Sequence, residues 1–452
     1  MKLKIAFFSD SFRDDLGGLT KAVTGLHDAL ISQGHQVTVF TLPQKTKPLH
    51  SGDVIFVPAL PLSGLPGIPS DSYFGYGYAR VLKALQSIKP DIVHVHTVYP
   101  VGWIGLLAAA KLKIAAVATY HANIKIALSL LTQRSPGQQS RHPGGADANS
   151  FKKGSRVPMV NNLVQGAARL ADRGISAGAR SFYNRFNAVI APSEFAANSL
   201  RSFGVTAPIH VIPSGIDTRL FSPSPSGTGL SEYVPSSMAT CAASSFPRNP
   251  AEPAEHISPC NVLYAGRLSA EKGVETLIRV VKTLGDEWSP DDGDVLKGTN
   301  VSGELRFTIA GDGPLRRRLE RDLKYLVEQG TVEFRGFVPW DRMPDEYRRA
   351  QVFFLPSPAE TQGLAALEAM ASGLPVVAVK AGAIPEFVEH GKSGFLFEPE
   401  DTEGMSNAIR NLAADPGLRR RVGEKARARA MRFDWRELVG KFIDLYTQYL
   451  RC

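Results

Sequence analysis

The sequence predicts an α/β protein of two doubly wound domains that face a central cleft. Three observations lead there. Short apolar, β-branched runs alternate with amphipathic stretches through the first half, the pattern of a parallel sheet covered on both faces. The same alternation restarts near residue 260, beyond a Ser- and Pro-rich interval. The chain has 452 residues, 43% hydrophobic and 21% charged, which suits two or three globular domains.

In the first half, Lys4–Ser9, Gln36–Phe40, Val54–Val57, Asp91–Val95, Ile114–Thr119, Ala188–Ala191 and Ile209–Ile212 are expected as buried strands. Helices are expected over Leu19–Ser32, Tyr76–Ile88 and Glu194–Phe203. The rhythm breaks between Ala122 and Asn187, where Arg134–Gly154 is rich in Gly, Ser and Gln and Asn161–Phe186 has a helical pattern. An N-terminal domain over residues 1–215 follows. Ser222–Pro259 carries nine Ser and seven Pro in 38 residues. It offers too little apolar surface to offset the entropy of ordering, so a disordered insertion over 222–259 is expected. A second domain, 260–432, is then built from strands at Asn261–Ala265, Leu305–Ala310, Val332–Phe334, Val352–Leu355 and Val376–Val379. Its helices are Val274–Leu284, Leu315–Glu328, Gly363–Ala371, Glu403–Leu412 and Leu418–Met431. The last stretch, 433–452, contains a helix at Trp435–Tyr449 that is expected to cross back to the N-terminal domain.

Composition excludes several classes. The three cysteines, Cys241, Cys260 and Cys452, include no close pair, so neither a disulfide framework nor a Cys-based zinc site is expected, and a reducing cytoplasm is. Met1–Asp10 is too short an apolar run for a secretory signal. The longest apolar stretch, Val101–Ala118, is interrupted by Lys111 and Lys113, whereas a membrane span needs about 20 apolar residues in a row. Residues 1–215 carry 22 bases and 10 acids, +12, against −3 for the remainder of a chain whose net charge is +9. Eight of those bases fall within Arg141–Arg185, beside only Asp147 and Asp172. Such a half fits an anionic membrane, a phosphorylated substrate, nucleic acid or a solvated face, and charge alone does not choose.

Pro356–Val377, PSPAETQGLAALEAMASGLPVV, is the most informative segment. Pro358 keeps the chain from being helical before Glu360. A helix then begins near Gly363, where free N–H groups and the helix dipole make an anion site. Glu360 lies just outside its first turn and Glu368 about two turns in, roughly 12 Å apart at about 1.5 Å per residue. Two such carboxylates fit hydroxyl acceptors at either end of a diphosphate-linked sugar. They fit equally a helix N-terminal charge and a solvated helix residue. Gly266–Gly273, GRLSAEKG, follows a strand and carries Arg267 and Lys272, two cations that either clamp a diphosphate or serve as surface charges. Both side chains are expected to end in solvent. Gly17 and Gly18 precede the first helix and permit close backbone approach, without a GxGxxG or P-loop pattern. His121 lies just past a strand, at the carboxyl end where parallel sheets place ligands. His94 and His96 read as core or supporting groups. Asp292-Gly293-Asp294 looks like a metal motif of another fold, but no His or Cys stands nearby to complete a site.

Together these segments resemble the retaining nucleotide-sugar glycosyltransferases of family 4, which have the GT-B fold of two Rossmann-like domains. The matching pieces are GGLTKAVTGLHDALISQGHQVTVFT, PDIVHVHT, TYHAN, APSEFAANSL, VIPSGID, YAGRLSAEKGVETLI, AGDGPLRRRLE, FRGFV and the Glu360–Glu368 segment. The resemblance implies a hexosyltransferase. It implies that Arg267 and Lys272 bind the donor diphosphate, with backbone groups at Gly17, Gly18, Gly363 and Leu364 beside it. Glu368 would take the ribose hydroxyls, Glu360 the transferred sugar and His121 the region of its 6-position. The segment Arg335–Val338, with Gly336, would edge the nucleobase. No metal or other cofactor is implied.

The ETQGL and TYHAN segments resemble members that glucosylate diacylglycerol. The expected donor is then UDP-linked and the acceptor a membrane lipid, with the protein cytoplasmic and peripheral on the inner face of the plasma membrane. No nucleic-acid partner is implied. Ala122, where Thr is common, and Ser214, where Asn often stands, depart from the pattern. They leave a soluble sugar, inositol or polysaccharide acceptor as an alternative, a nucleotide-sugar 2-epimerase as a further one, and a non-catalytic sugar-nucleotide binder as the last.

Overall fold

Strands that are apolar on both faces must be covered on both faces, and this chain does so twice. The computed structural model describes residues 1–12, 17–43, 54–61, 73–121, 174–223, 259–286 and 305–450. The first half contributes β1 (Lys4–Phe8), β2 (Gln36–Thr41), β3 (Val54–Phe56), a hairpin of β4 (Ala59–Pro61) and β5 (Tyr73–Gly75), β6 (Ile92–Val95), β7 (Ala115–Thr119), β8 (Ala188–Ala191) and β9 (Ile209–Val211). All but the hairpin join one parallel sheet in the order β3-β2-β1-β6-β7-β8-β9. The second half contributes β10 (Cys260–Ala265), β11 (Leu305–Ala310), β12 (Val332–Gly336), β13 (Val352–Leu355), β14 (Val376–Val379) and β15 (Gly394–Phe397), in the order β12-β11-β10-β13-β14-β15. Both are doubly wound, with the strand order reversing beside β1 and beside β10. Ligands of such sheets bind at that reversal, outside the carboxyl ends of the strands. The first sheet is sandwiched between clusters centred on Phe8, Val93 and Val189 and on Phe7, Val39 and Ile190; the second is covered in the same way.

Four elements differ from expectation. The apolar stretch Val101–Ala118 splits into a Pro100–Leu112 helix and β7, because Lys113 takes a left-handed turn at φ 56°. Leu315–Glu328 breaks at Leu323 into two short helices, Arg316–Asp322 and Lys324–Glu328. The β4–β5 hairpin, whose strands have three residues each with Leu60 and Phe74 exposed, and the edge strand β15, which alternates buried and half-buried residues, are not among the expected strands. The expectations for Arg134–Gly154, for most of Ser222–Pro259 and for Asp292–Asp294 lie outside the described residues, as do residues 161–173 of the Asn161–Phe186 stretch, whose remainder is helical over 174–183. Among the described residues no helix is long and apolar enough to cross a membrane.

The final helix, Trp435–Leu450, returns to the first lobe, where Trp435, Val439, Phe442 and Tyr446 join the core with Phe7, Val23 and Leu26. Backbone bonds tie Ile216 to Phe433 at 2.8 Å and to Trp435 at 3.2 Å. The Asp434 carboxylate accepts from the Thr218 hydroxyl at 2.5 Å and the Arg436 guanidinium at 2.7 Å. Burial alone would raise the pKa of Asp434, but these bonds outweigh it and hold the group well below the usual carboxylate range. Trp435 lies against Gly25 and Gly215, both in the first lobe. Trp435→Ala is expected to destabilise by about 3–5 kcal/mol, read as a lower urea midpoint.

Candidate functional site

The site is built where the carboxyl end of β13 runs into the Leu364–Ala371 helix. Gly363 makes the turn at φ 84°, a left-handed conformation that a side chain would strain. Gly273 does the same for the facing turn at φ 72°, where a Cβ would stand 1.9 Å from the Pro356 carbonyl oxygen. That close approach brings Lys272 onto Glu360, Nζ to Oε1 at 2.7 Å. The expectation that Lys272 ends free in solvent is therefore corrected: its ammonium is paired, because the turn packs directly on the segment that carries Glu360. Arg267 is exposed and makes no ion pair among the described residues.

Glu368 is 2% exposed, so the reading of a solvated helix residue falls. Its Oε2 accepts from the Tyr347 hydroxyl at 2.9 Å, and Lys21 of the first lobe lies 3.1 Å from Oε1 and 3.3 Å from Oε2. Burial and the neighbouring Glu368 push the Tyr347 phenol up, so it stays a donor. Gly17 caps the helix that carries Lys21, and a side chain at Gly18 would stand 3.8 Å from Leu364 Cδ1. The two helix starts thus meet across the cleft. Gly336, at φ 67° on the end of β12, accepts through its carbonyl from Gly311 N at 2.7 Å.

The segment between the glutamates is sewn to the first lobe. The Thr361 hydroxyl donates to the His121 carbonyl at 3.0 Å, and Ser193 donates to the Thr361 carbonyl at 2.6 Å. The Gln362 amide donates to Ser214 O at 2.6 Å and accepts from Ser214 N at 2.9 Å. Glu386 accepts from Glu194 N and Phe195 N, both at 2.8 Å, at a helix N-terminus.

His121 sits at the cleft end of a stack of three imidazoles. Its Nε2 lies 3.3 Å from His96 Nδ1, while His94 bonds Tyr446 at 2.7 Å and Thr119 at 2.6 Å. His96 Nε2 has no hydrogen-bond partner among the described residues. Burial drives the His121 imidazole down to about 4. Burial and mutual repulsion lower His94 and His96 well below their ordinary value. Beside them burial raises the Asp10 carboxyl, which caps the Pro100–Leu112 helix by accepting from Val101 N at 3.3 Å.

The structure therefore brings together Lys272, Glu360, Gly363 and Leu364, then Glu368 and Gly18, with His121 tied to Thr361; Arg267 lies on the same strand-to-helix turn as Lys272. Sequence reasoning missed Lys21, Tyr347 and Gln362. Only Gln362 had a local signal, its place in the ETQGL segment. A cavity of about 460 Å³ opens beside Glu368, between Lys21, Trp340, Phe221 and Asp217.

Two family models match the chain, glycosyltransferase family 4 over residues 16–220 and glycosyl transferases group 1 over residues 249–429. A D-inositol 3-phosphate glycosyltransferase of Xylanimonas cellulosilytica is 28% identical over 96% of this chain and 92% of its own length. An alpha-monoglucosyldiacylglycerol synthase of Streptococcus pneumoniae is 26% identical over 83% of this chain and 71% of its own. The sulfoquinovosyl transferase of Arabidopsis thaliana is 27% identical over 80% of this chain, which spans 57% of that relative. Among solved structures, a sucrose-phosphate synthase of Thermosynechococcus elongatus superposes with a TM-score of 0.65 at 21% identity, covering 99% of both chains. Anabaena HepE in complex with UDP and glucose gives 0.64 at 20%, over 99% of this chain and 100% of that one.

The imidazole stack sets a pH dependence of stability. Neutral in the fold, these groups bind fewer protons than the unfolded chain does below its ordinary value of about 6.5. Their contribution is complete above that value and is lost as pH falls toward about 4, the folded value of His121. The urea midpoint should fall between pH 7 and pH 5, and His96→Gln should make that fall shallower.

Proposed function

This chain belongs to the GT-B glycosyltransferases of the family 4 type, and we propose that it moves a hexose from a UDP-linked sugar to a membrane lipid such as diacylglycerol, with retention at the anomeric carbon. One observation carries the donor half of this reading. Two carboxylates, each held by a lysine, flank the Gly363 helix start just where the Gly18 helix start faces it. In this reading Arg267 and Lys272 neutralise the diphosphate, helped by N–H groups at Gly17, Gly18, Gly363 and Leu364. Glu360 takes sugar hydroxyls, Glu368 the ribose, and neutral His121 a hydroxyl near the 6-position. Gly336 and its neighbours edge the base, and the cavity beside Glu368 gives the nucleoside room. Arg, Lys and helix termini do the work of charge neutralisation without a metal.

The bond from the anomeric carbon to the β-phosphate oxygen breaks, and the acceptor oxygen bonds to the same face of that carbon. The acceptor proton passes to the departing phosphate oxygen. Charge grows on that oxygen, so cations already aimed at it lower the barrier without reorganising.

The lipid half rests on the surface of the first lobe. Leu60 and Phe74, cross-strand partners on the hairpin, are 57% and 51% exposed. Gly75 beside them lies against Pro100 and Val101, which brings in Tyr99, 63% exposed. Residues 73–120 add Arg80, Lys83, Lys89, Lys111 and Lys113 against a single acid, Asp91. Apolar and aromatic side chains among bases are what a protein resting on an anionic leaflet presents. The activity for which the pneumococcal relative is named points the same way. The inositol phosphate relatives, which align along nearly the whole chain, favour a soluble inositol-type acceptor as the second reading.

Arg267→Ala and Lys272→Ala are each expected to lower turnover by about 10²–10³, the loss of one preorganised contact at a developing charge. Near wild-type activity in both, in folded protein, would remove the assigned roles. Activity should survive a metal chelator. Label from UDP-glucose, incubated with total lipid extract, should enter the organic phase. The protein should co-sediment with anionic vesicles at low salt, and Leu60→Asp with Phe74→Asp should release it while donor hydrolysis persists. If wild-type protein ignores such vesicles, the inositol-type acceptor leads.

A further inference from the structure

Lys21 is one turn into the first helix, 347 residues from the carboxylate it touches. It contacts both oxygens of Glu368, at 3.1 and 3.3 Å, while Tyr347 donates to Oε2 at 2.9 Å. A carboxylate offers about four acceptor positions. Tyr347 and Lys21 between them engage both oxygens, so too little capacity remains for two ribose hydroxyls. Tyr347 is buried and fixed, whereas the Lys21 side chain is 26% exposed and its flexible stem can swing to solvent. Of the two partners, Lys21 is the one that can leave.

Resting on the reading that Glu368 takes the ribose, we propose that Lys21 is a positioning residue which competes with the ribose diol for Glu368. It holds the carboxylate satisfied and in place, keeps the first lobe tied to it, and yields to a ligand that replaces both of its contacts. A nucleoside with intact 2′- and 3′-hydroxyls can do so. One without them leaves Lys21 where it is. Lys21 thereby sets how much affinity the ribose contributes, and the donor's ribose displaces one of the contacts that join the two lobes.

The test compares binding of UDP and of 2′,3′-dideoxy-UDP by calorimetry, in wild-type protein, Lys21→Met and Lys21→Gln. The ratio of the two dissociation constants cancels the general loss of positive charge from the cleft. Competition requires that ratio, dideoxy over ribo, to rise in both variants by about tenfold, the size of one charge-assisted hydrogen bond. Circular dichroism checks that each variant is folded, and the part-exposed position gives two substitutions to choose from. A ratio unchanged or lowered in both folded variants overturns the competition and leaves the donor reading standing. A ratio of one in wild-type protein and in both variants alike, or no binding of UDP to wild-type protein, overturns the ribose contact itself and this inference with it.

Discussion

The amide of Gln362 pairs with the backbone of Ser214 as one peptide group pairs with another in a sheet, and the shape of the cleft depends on that pairing. Gln362 is 4% exposed, so losing either bond would leave a buried polar group unsatisfied, at a cost of about 1–3 kcal/mol. Its neighbour Thr361 is held on both sides, hydroxyl to His121 and carbonyl from Ser193. A four-residue turn fixed in this way cannot shift without taking Glu360 and Gly363 with it. The placement of Glu360 and Gly363 against the first lobe, and the tie to His121, follow from hydrogen bonds made by residues that themselves carry no charge.

The two acid–cation pairs differ in kind. Lys272 and Glu360 belong to one lobe and are set by a backbone contact at Gly273 that no side chain could share. Lys21 and Glu368 belong to different lobes and exist only while the lobes are in this relation. Part-buried pairs are screened little by salt, so each holds its geometry, but only the second carries information about lobe position. The imidazole stack behind His121 adds no charge to this field, because burial keeps all three rings neutral.

Most of both sheets was legible because an apolar run of four to six residues between turn signals has few other uses. What escaped was short or context-dependent. β15 is a four-residue edge strand, and the hairpin strands have three residues each. The Pro100–Leu112 helix is apolar nearly all round and carries no periodic signal. In the site, Arg267, Lys272, Glu360 and the glycines were readable because each stands at a strand-to-helix turn, a local feature. Tyr347 and Lys21 were not, since their partner Glu368 lies 21 and 347 residues away and nothing in either neighbourhood requires a carboxylate. The two readings of Glu368, hydroxyl acceptor or solvated residue, could be separated only by burial, which depends on both lobes at once.

The lobes are joined unequally on their two sides, and this limits how they can move. On one side the chain crosses at Ile216–Thr218 and returns through Phe433–Arg436, held by backbone bonds, by Asp434 and by the burial of Trp435 in the first lobe's core. Apolar burial of this kind has no substitute in water, so that side is fixed. On the cleft side the contacts among the described residues include hydrogen bonds and the Lys21–Glu368 ion pair, groups that a polyhydroxylated, charged ligand can replace. Exchange of equivalent polar contacts has a net cost near zero, whereas separating Trp435 from its core does not. A change in lobe position therefore pivots at the Ile216–Trp435 crossing, which lines the same cavity as Glu368, Leu364 and Lys21. The residues that would hold the donor are the same residues that report where the lobes stand.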